Sequence, residues 1–145
     1  MRPFLNQRRK GIFVLCRTSN PGAGELQDLV VGGEPLFLHL ATIVATTWNE
    51  NGNCGLVVGA TYPKELASVR SRTANLPLLI PGIGSQGGDL EATVRAAHNG
   101  RQLLAFINAS RAVVYASAAP DYADAARQAS VELNTQIATV VQHLR

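Results

Sequence analysis

Short, nearly unbroken apolar runs alternate with longer amphipathic ones along all 145 residues, and few folds tolerate that rhythm. A strand covered on both faces reads as a continuous apolar run, and the usual cover is helices packed on a parallel sheet. Gly11–Cys16 reads as the first strand and ends at the turn-rich stretch Thr18–Gly24. A helix is expected over about Glu34–Trp48, with Leu36, Leu40, Ile43, Val44 and Thr47 on one face. Asn49–Asn53 is a loop, and Gly55–Gly59 is the second strand. Pro63 suits the first turn of a helix that continues through Leu66, Val69 and Arg70. Leu76–Ile80 is the third strand, closed by Pro81-Gly82. Asp89 is a good N-cap for a helix running to about His98, stopped by Asn99-Gly100. Leu103–Ile107 is the fourth strand, followed by a short apolar segment, Ala112–Ala116. The last helix starts near Pro120 and carries Tyr122, Ala126, Leu133, Ile137, Val140, Val141 and Leu144 along one face.

The fold class is therefore α/β: about four parallel strands with covering helices, in one domain over residues 1–145 with no internal linker. Such a series builds either an open doubly wound sheet or part of a (β/α)8 barrel. A whole barrel takes about 250 residues, so this chain has material for about half of one.

Composition removes several function classes. Net charge is +3, and Arg2, Arg8, Arg9 and Lys10 cluster at the start, which reads as a solvated basic end. No stripe of Lys and Arg is interleaved with aromatics, so nucleic acid is not an expected partner. Cys16 and Cys54 lie in or beside apolar runs without a metal-ligand spacing, and read as buried free thiols of a reducing compartment. His39, His98 and His143 show no ligand spacing either, so no metal and no cofactor are expected. Trp48 and Tyr122 read as packing residues. The apolar stretch Leu36–Thr46 is too short to cross a bilayer, so no membrane partner is expected. No signal pattern opens the chain, and the cytoplasm is the expected location.

The segment Gly82-Ile83-Gly84-Ser85-Gln86-Gly87-Gly88 lies between a strand and a helix. Glycines let backbone N–H groups converge on one anion at close range. A helix N-terminus adds partial positive charge, but Asp89 is expected to occupy that cap itself. The letters also fit the dinucleotide fingerprint G-x-G-x-x-G. That fingerprint wants an acidic residue at the end of the next strand, where this chain has Asn108-Ala109-Ser110-Arg111. A plain glycine turn is the other alternative, although four glycines in seven residues exceed what a turn needs. Arg111 favours an anion. Neighbouring strand ends lie side by side in a parallel sheet, so its guanidinium can face the glycine loop and grip a phosphate through two hydrogen bonds.

The block from Leu79 to Asp89 resembles the phosphate loop after strand seven of orotidine 5′-phosphate decarboxylases. The segment Phe13-Val14-Leu15-Cys16-Arg17-Thr18-Ser19-Asn20-Pro21-Gly22-Ala23 resembles strand five and its loop in the longer bacterial subfamily. Val57–Thr61 is similar to strand six, and Ile107–Arg111 to the end of strand eight. The resemblance implies the C-terminal half of a TIM (β/α)8 barrel, strands five to eight, and a role in converting orotidine 5′-phosphate to UMP. It implies that Ser19 reads the pyrimidine, that Gly82, Gly84, Gln86 and Gly87 line the phosphate, and that Arg111 is its main cation. Ala109 stands where the family often has Ser. The family's chemistry uses a Lys and Asp array with the pattern Asp-x-Lys-x-x-Asp, and neither Lys10 nor Lys64 lies in such a pattern. No catalytic residue is therefore expected in this chain. Pro3-Phe4-Leu5 matches the fourth helix, so strands one to four are expected to be missing. The implied ligands are orotidine 5′-phosphate or UMP, and the implied partner is an N-terminal half or a second copy. An inactive nucleotide-binding half-barrel, or a different sugar-phosphate binder, are the competing readings.

Overall fold

The structure, a computed structural model, describes residues 1–84 and 87–144. In chain order the elements are α1 (Arg2–Leu5), β1 (Ile12–Arg17), α2 (Gly24–Gln27), β2 (Val30–Val31), β3 (Glu34–Pro35) and α3 (Leu36–Ile43). There follow β4 (Cys54–Val58), α4 (Pro63–Arg72), β5 (Leu78–Pro81), α5 (Leu90–Ala97), β6 (Ala105–Asn108), α6 (Ser110–Val114) and α7 (Tyr122–Gln142). The main sheet has four strands in the order β1-β4-β5-β6, all parallel, as the alternation predicts. β2 and β3 form a separate small hairpin.

One face of the sheet carries the core. Leu56, Val58, Leu78 and Ile80 are fully buried there, in one cluster with Leu66 of α4 and Ala97 of α5. The opposite face is apolar and open: Leu15 is 63% exposed and Phe106 62%. A flat sheet would hold β1 and β6 roughly 14 Å apart, three strand spacings. The Phe13 and Phe106 side chains lean toward each other across that gap, and their rings meet edge to face with centroids 5.9 Å apart. Gly55 makes room for this contact, since a Cβ there would lie 2.5 Å from the Phe13 ring.

Pro63 opens α4, and Asp89 caps α5 by accepting from the Ala92 N–H at 2.9 Å, both as expected. Three expectations are corrected. In α3 the buried residues are Phe37, Ala41 and Val44; of the expected stripe Val44 is buried, Leu36, Leu40 and Ile43 are half-buried, and Thr47 is exposed. The helix continues from Val44 to Trp48 in π geometry, which brings Trp48 rather than Thr47 against the core. Tyr122 is 63% exposed and not a packing residue, because it sits in the first turn of α7 beyond the sheet. The apolar segment at Ala112–Ala116 belongs to a short helix that starts earlier, at Ser110.

Both cysteines are free and buried. The Cys16 thiol donates to the Phe37 carbonyl at 3.2 Å, and burial pushes its pKa from 9.0 up to about 12. Burial also raises Cys54. The folded chain thus keeps protons that the unfolded chain releases in alkali. Stability is complete below pH 9.0 and falls as pH rises toward about 12. Denaturant unfolding from about pH 8 to about pH 11 should show this decline, and Cys16→Ala should flatten it. A flat profile for the parent chain would remove the desolvation argument. No helix among the described residues is long and apolar enough to cross a membrane.

Candidate functional site

Parallel strands all end on the same edge, so the loops that follow β1, β4, β5 and β6 form one rim. Such C-terminal rims are where βα folds place their ligands. Ser19 follows β1, Thr61 follows β4, Gly82–Gly88 follows β5, and Ser110-Arg111 follows β6.

These segments touch in series. The Gly59 N–H donates to the Arg17 carbonyl at 2.7 Å, and a Cβ on Gly59 would lie 2.8 Å from both the Cβ and the N of Ser19. Only glycine permits Ser19 to sit there. The Thr61 hydroxyl reaches toward the Ser19 carbonyl at 3.5 Å. Next along the rim, the Ala60 N–H donates to the Pro81 carbonyl at 2.8 Å. A Cβ on Gly88 would lie 2.8 Å from Ala60 Cβ and 2.7 Å from the Gly82 carbonyl oxygen. Gly84 then meets the start of α6, where its Cβ would stand 3.6 Å from Ala112 Cβ. A hollow of about 230 Å³ lies between Gly84, Ala109, Ala112 and the side chains of α7.

The glycine loop needs its glycines. Gly82, Gly84 and Gly87 have φ of 107°, 78° and 83°, in the left-handed region that other residues avoid. Two amides are used inside the loop: Gly87 N–H donates to Gly84 O at 2.8 Å and Gly88 N–H to Gly82 O at 3.1 Å. The Gly87 N–H is therefore already used within the loop. Gln86, expected to fold over a phosphate, lies outside the described residues. Arg111 is the second residue of α6, adjacent to the Ala112 that faces Gly84. Its side chain is exposed and makes no hydrogen bond or ion pair with another described residue. The structure thus brings Ser19, the glycine loop and the Arg111 backbone to one rim.

Sequence reading missed Arg17. Its side chain is 3% exposed, contacts Asp28 and stacks on Tyr62. An arginine at the end of an apolar run was the available signal.

A parallel sheet with helices on one face, an open apolar opposite face and a glycine-rich loop on its C-terminal rim defines part of a (β/α)-barrel protein. Residues 1–129 match the family described as Orotidine 5′-phosphate decarboxylase / HUMPS, and the chain belongs to that family. It is 54% identical over 140 residues to an orotidine 5′-phosphate decarboxylase of Bordetella avium, covering 95% of this chain and 52% of that protein. It is 53% identical to one of Azoarcus, covering 93% and 50%. The chain spans about half the length of the curated relatives it matches. Among solved structures, Leishmania donovani UMP synthase superposes with a TM-score of 0.82 at 43% identity, over 94% of this chain and 30% of that one. Leishmania donovani OMP decarboxylase gives 0.78 at 39% identity, over 94% and 52%. The fold is the half-barrel that the alternation and the four motifs imply.

Proposed function

We propose that this chain forms the phosphate- and pyrimidine-binding half of an orotidine 5′-phosphate decarboxylase and works with an N-terminal half that holds the chemistry. The observation that carries this reading is the continuous rim. Ser19, the glycine loop and Ser110-Arg111 stand at the ends of β1, β5 and β6, with the end of β4 joining the first two through contacts at Gly59 and Gly88 too close for a side chain, and Gly84 in ordinary van der Waals reach of Ala112. A nucleotide monophosphate has two polar ends, a base and a phosphate, and the rim offers a hydroxyl at one end and glycines with a guanidinium at the other. Binding energy from those ends supports a reaction at the base carbon in the complete barrel.

The Lys and Asp array that would protonate the carbon losing CO₂ has no counterpart pattern in these residues. The open apolar face and the outer edges of β1 and β6 are the surfaces a second half would cover. In this reading the protein acts in the cytoplasm.

The test is reconstitution. The N-terminal half of the Bordetella avium relative, added to this chain, should restore UMP formation from orotidine 5′-phosphate, while this chain alone gives none. Decarboxylation by the chain alone, or a stable mixed complex that binds UMP yet releases no CO₂, would overturn the division of labour.

A further inference from the structure

The buried Arg17 has no part in the site as assigned, and its surroundings point to a task. Strand alternation would place Arg17 with Phe13 and Leu15 on the open apolar face. It is not there. The register with β4 runs Leu15↔Val57 and then Arg17↔Val58, so Cys16 is an extra residue in β1. Such a bulge re-aims the side chains that follow it. Cys16 and Arg17 are consequently both buried, breaking the pattern of the strand.

The re-aimed guanidinium ties three segments together. Nη2 donates to Asp28 Oδ2 at 3.0 Å, and Nε lies 2.9 Å from Asp28 Oδ1 as an ion pair rather than an aligned hydrogen bond. Nη1 donates to the Thr18 carbonyl at 2.9 Å. Cζ sits 4.3 Å from the centroid of the Tyr62 ring, at the start of α4. Asp28 is the C-cap of α2, so the pair closes the excursion that runs from Thr18 to Gln27. A second tie lies just inside the first: Gln27 Oε1 accepts from the Thr18 N–H at 2.9 Å. Ser19 is the next residue, with its back against Gly59.

We infer that Arg17 is the positioning residue of the pyrimidine-reading segment: clamped by Asp28 and stacked on Tyr62, it sets where Ser19 stands relative to the glycine loop. This rests on the reading of Ser19 given above. A lysine could keep the charge but not the planar fork or the stack. The glycine loop is held by its own internal hydrogen bonds and by Ala60, so loosening Arg17 should spoil base recognition and spare phosphate recognition.

The experiment measures the affinity of the chain for UMP and for ribose 5-phosphate by calorimetry. Arg17→Met should weaken UMP by about tenfold while ribose 5-phosphate changes less than about twofold. Arg17→Lys should fall between, and Arg17→Met should add nothing on a Ser19→Ala background. Equal weakening of both ligands, or no weakening of either, would overturn the inference. Should Arg17→Met fail to fold by thermal melt, Tyr62→Leu carries the same expectation, since it removes the stack and leaves the ion pair. A parent chain that binds UMP no better than ribose 5-phosphate, or a Ser19→Ala variant that keeps the preference, sinks the Ser19 assignment itself. Those results are distinct from a failure confined to Arg17.

Discussion

Arg70→Met is expected to lower the unfolding free energy by about 3–5 kcal/mol, although Arg70 lies far from any proposed ligand. The side chain is 3% exposed, and no carboxylate among the described residues pairs with it. Its guanidinium donates to five carbonyls instead: Ala97 at 2.7 Å, Thr73 at 3.2 Å, Ala74 at 3.3 Å, Leu76 at 2.8 Å and Leu104 at 2.9 Å. These carbonyls belong to the ends of α4 and α5 and to the approaches of β5 and β6. All lie at the edge opposite the rim, where βα folds concentrate stability rather than function. Desolvation lowers its pKa to about 10, so it stays charged at neutral pH. Methionine fills similar space but removes the donor to the Ala97 and Leu76 carbonyls, each costing about 1–3 kcal/mol before relaxation, whereas Thr73, Ala74 and Leu104 still accept from the Leu76 N–H, Asn99 Nδ2 and the Leu78 N–H. Arg70→Lys should lose less, because an ammonium can satisfy some of the five. Denaturant unfolding measures the difference, and a loss under about 1 kcal/mol for Arg70→Met would show that water takes over the carbonyls.

The second large effect is on binding. Arg111→Ala should weaken UMP by about 10- to 150-fold, the equivalent of about 1.5–3 kcal/mol for a charge-assisted contact. The Arg111 side chain is exposed and makes no hydrogen bond or ion pair with another described residue, so its removal should leave the melting temperature almost unchanged. That separates it from Arg70, whose loss should be felt in stability. Uridine, which lacks the phosphate, should bind parent and variant alike. Arg111→Lys should recover part of the affinity, since lysine keeps the charge but not the two-point grip. UMP affinity that is equal in the parent chain and Arg111→Ala would discard the phosphate assignment.

The strands and the rim were readable because each rests on local signals. The four apolar runs and the glycine block each follow from short-range chemistry, and strand boundaries came within about two residues. The third and fourth strands begin at Leu78 and Ala105, later than expected at Leu76 and Leu103. Leu76 and Leu103 are apolar because they pack at the bottom of the core, not because they pair in the sheet. The β2–β3 hairpin was passed over, although Val30-Val31-Gly32-Gly33-Glu34-Pro35 carries a two-glycine turn signal. Its strands are only two residues each, too short for periodicity to register. Thr47 was misplaced because the π turn that begins at Val44 changes the face that points inward, which a fixed helical period does not anticipate. Arg17 and Arg70 were missed for a different reason. A buried arginine is decided by partners 11 and 27 residues away; the apolar run before Arg17 hints at burial, but no local pattern names those partners.

The rim has a further consequence. Ser19 rests on Gly59 and Ala60 on Gly88 with no room for a side chain between them, and Gly84 lies within van der Waals reach of Ala112. Such a row has little give, so the distance between its two ends is set by the sheet and not by the visitor. On the proposed reading the row works as a calliper: a ligand whose base and anion are spaced for it engages both jaws, and one with a longer or shorter arm engages one.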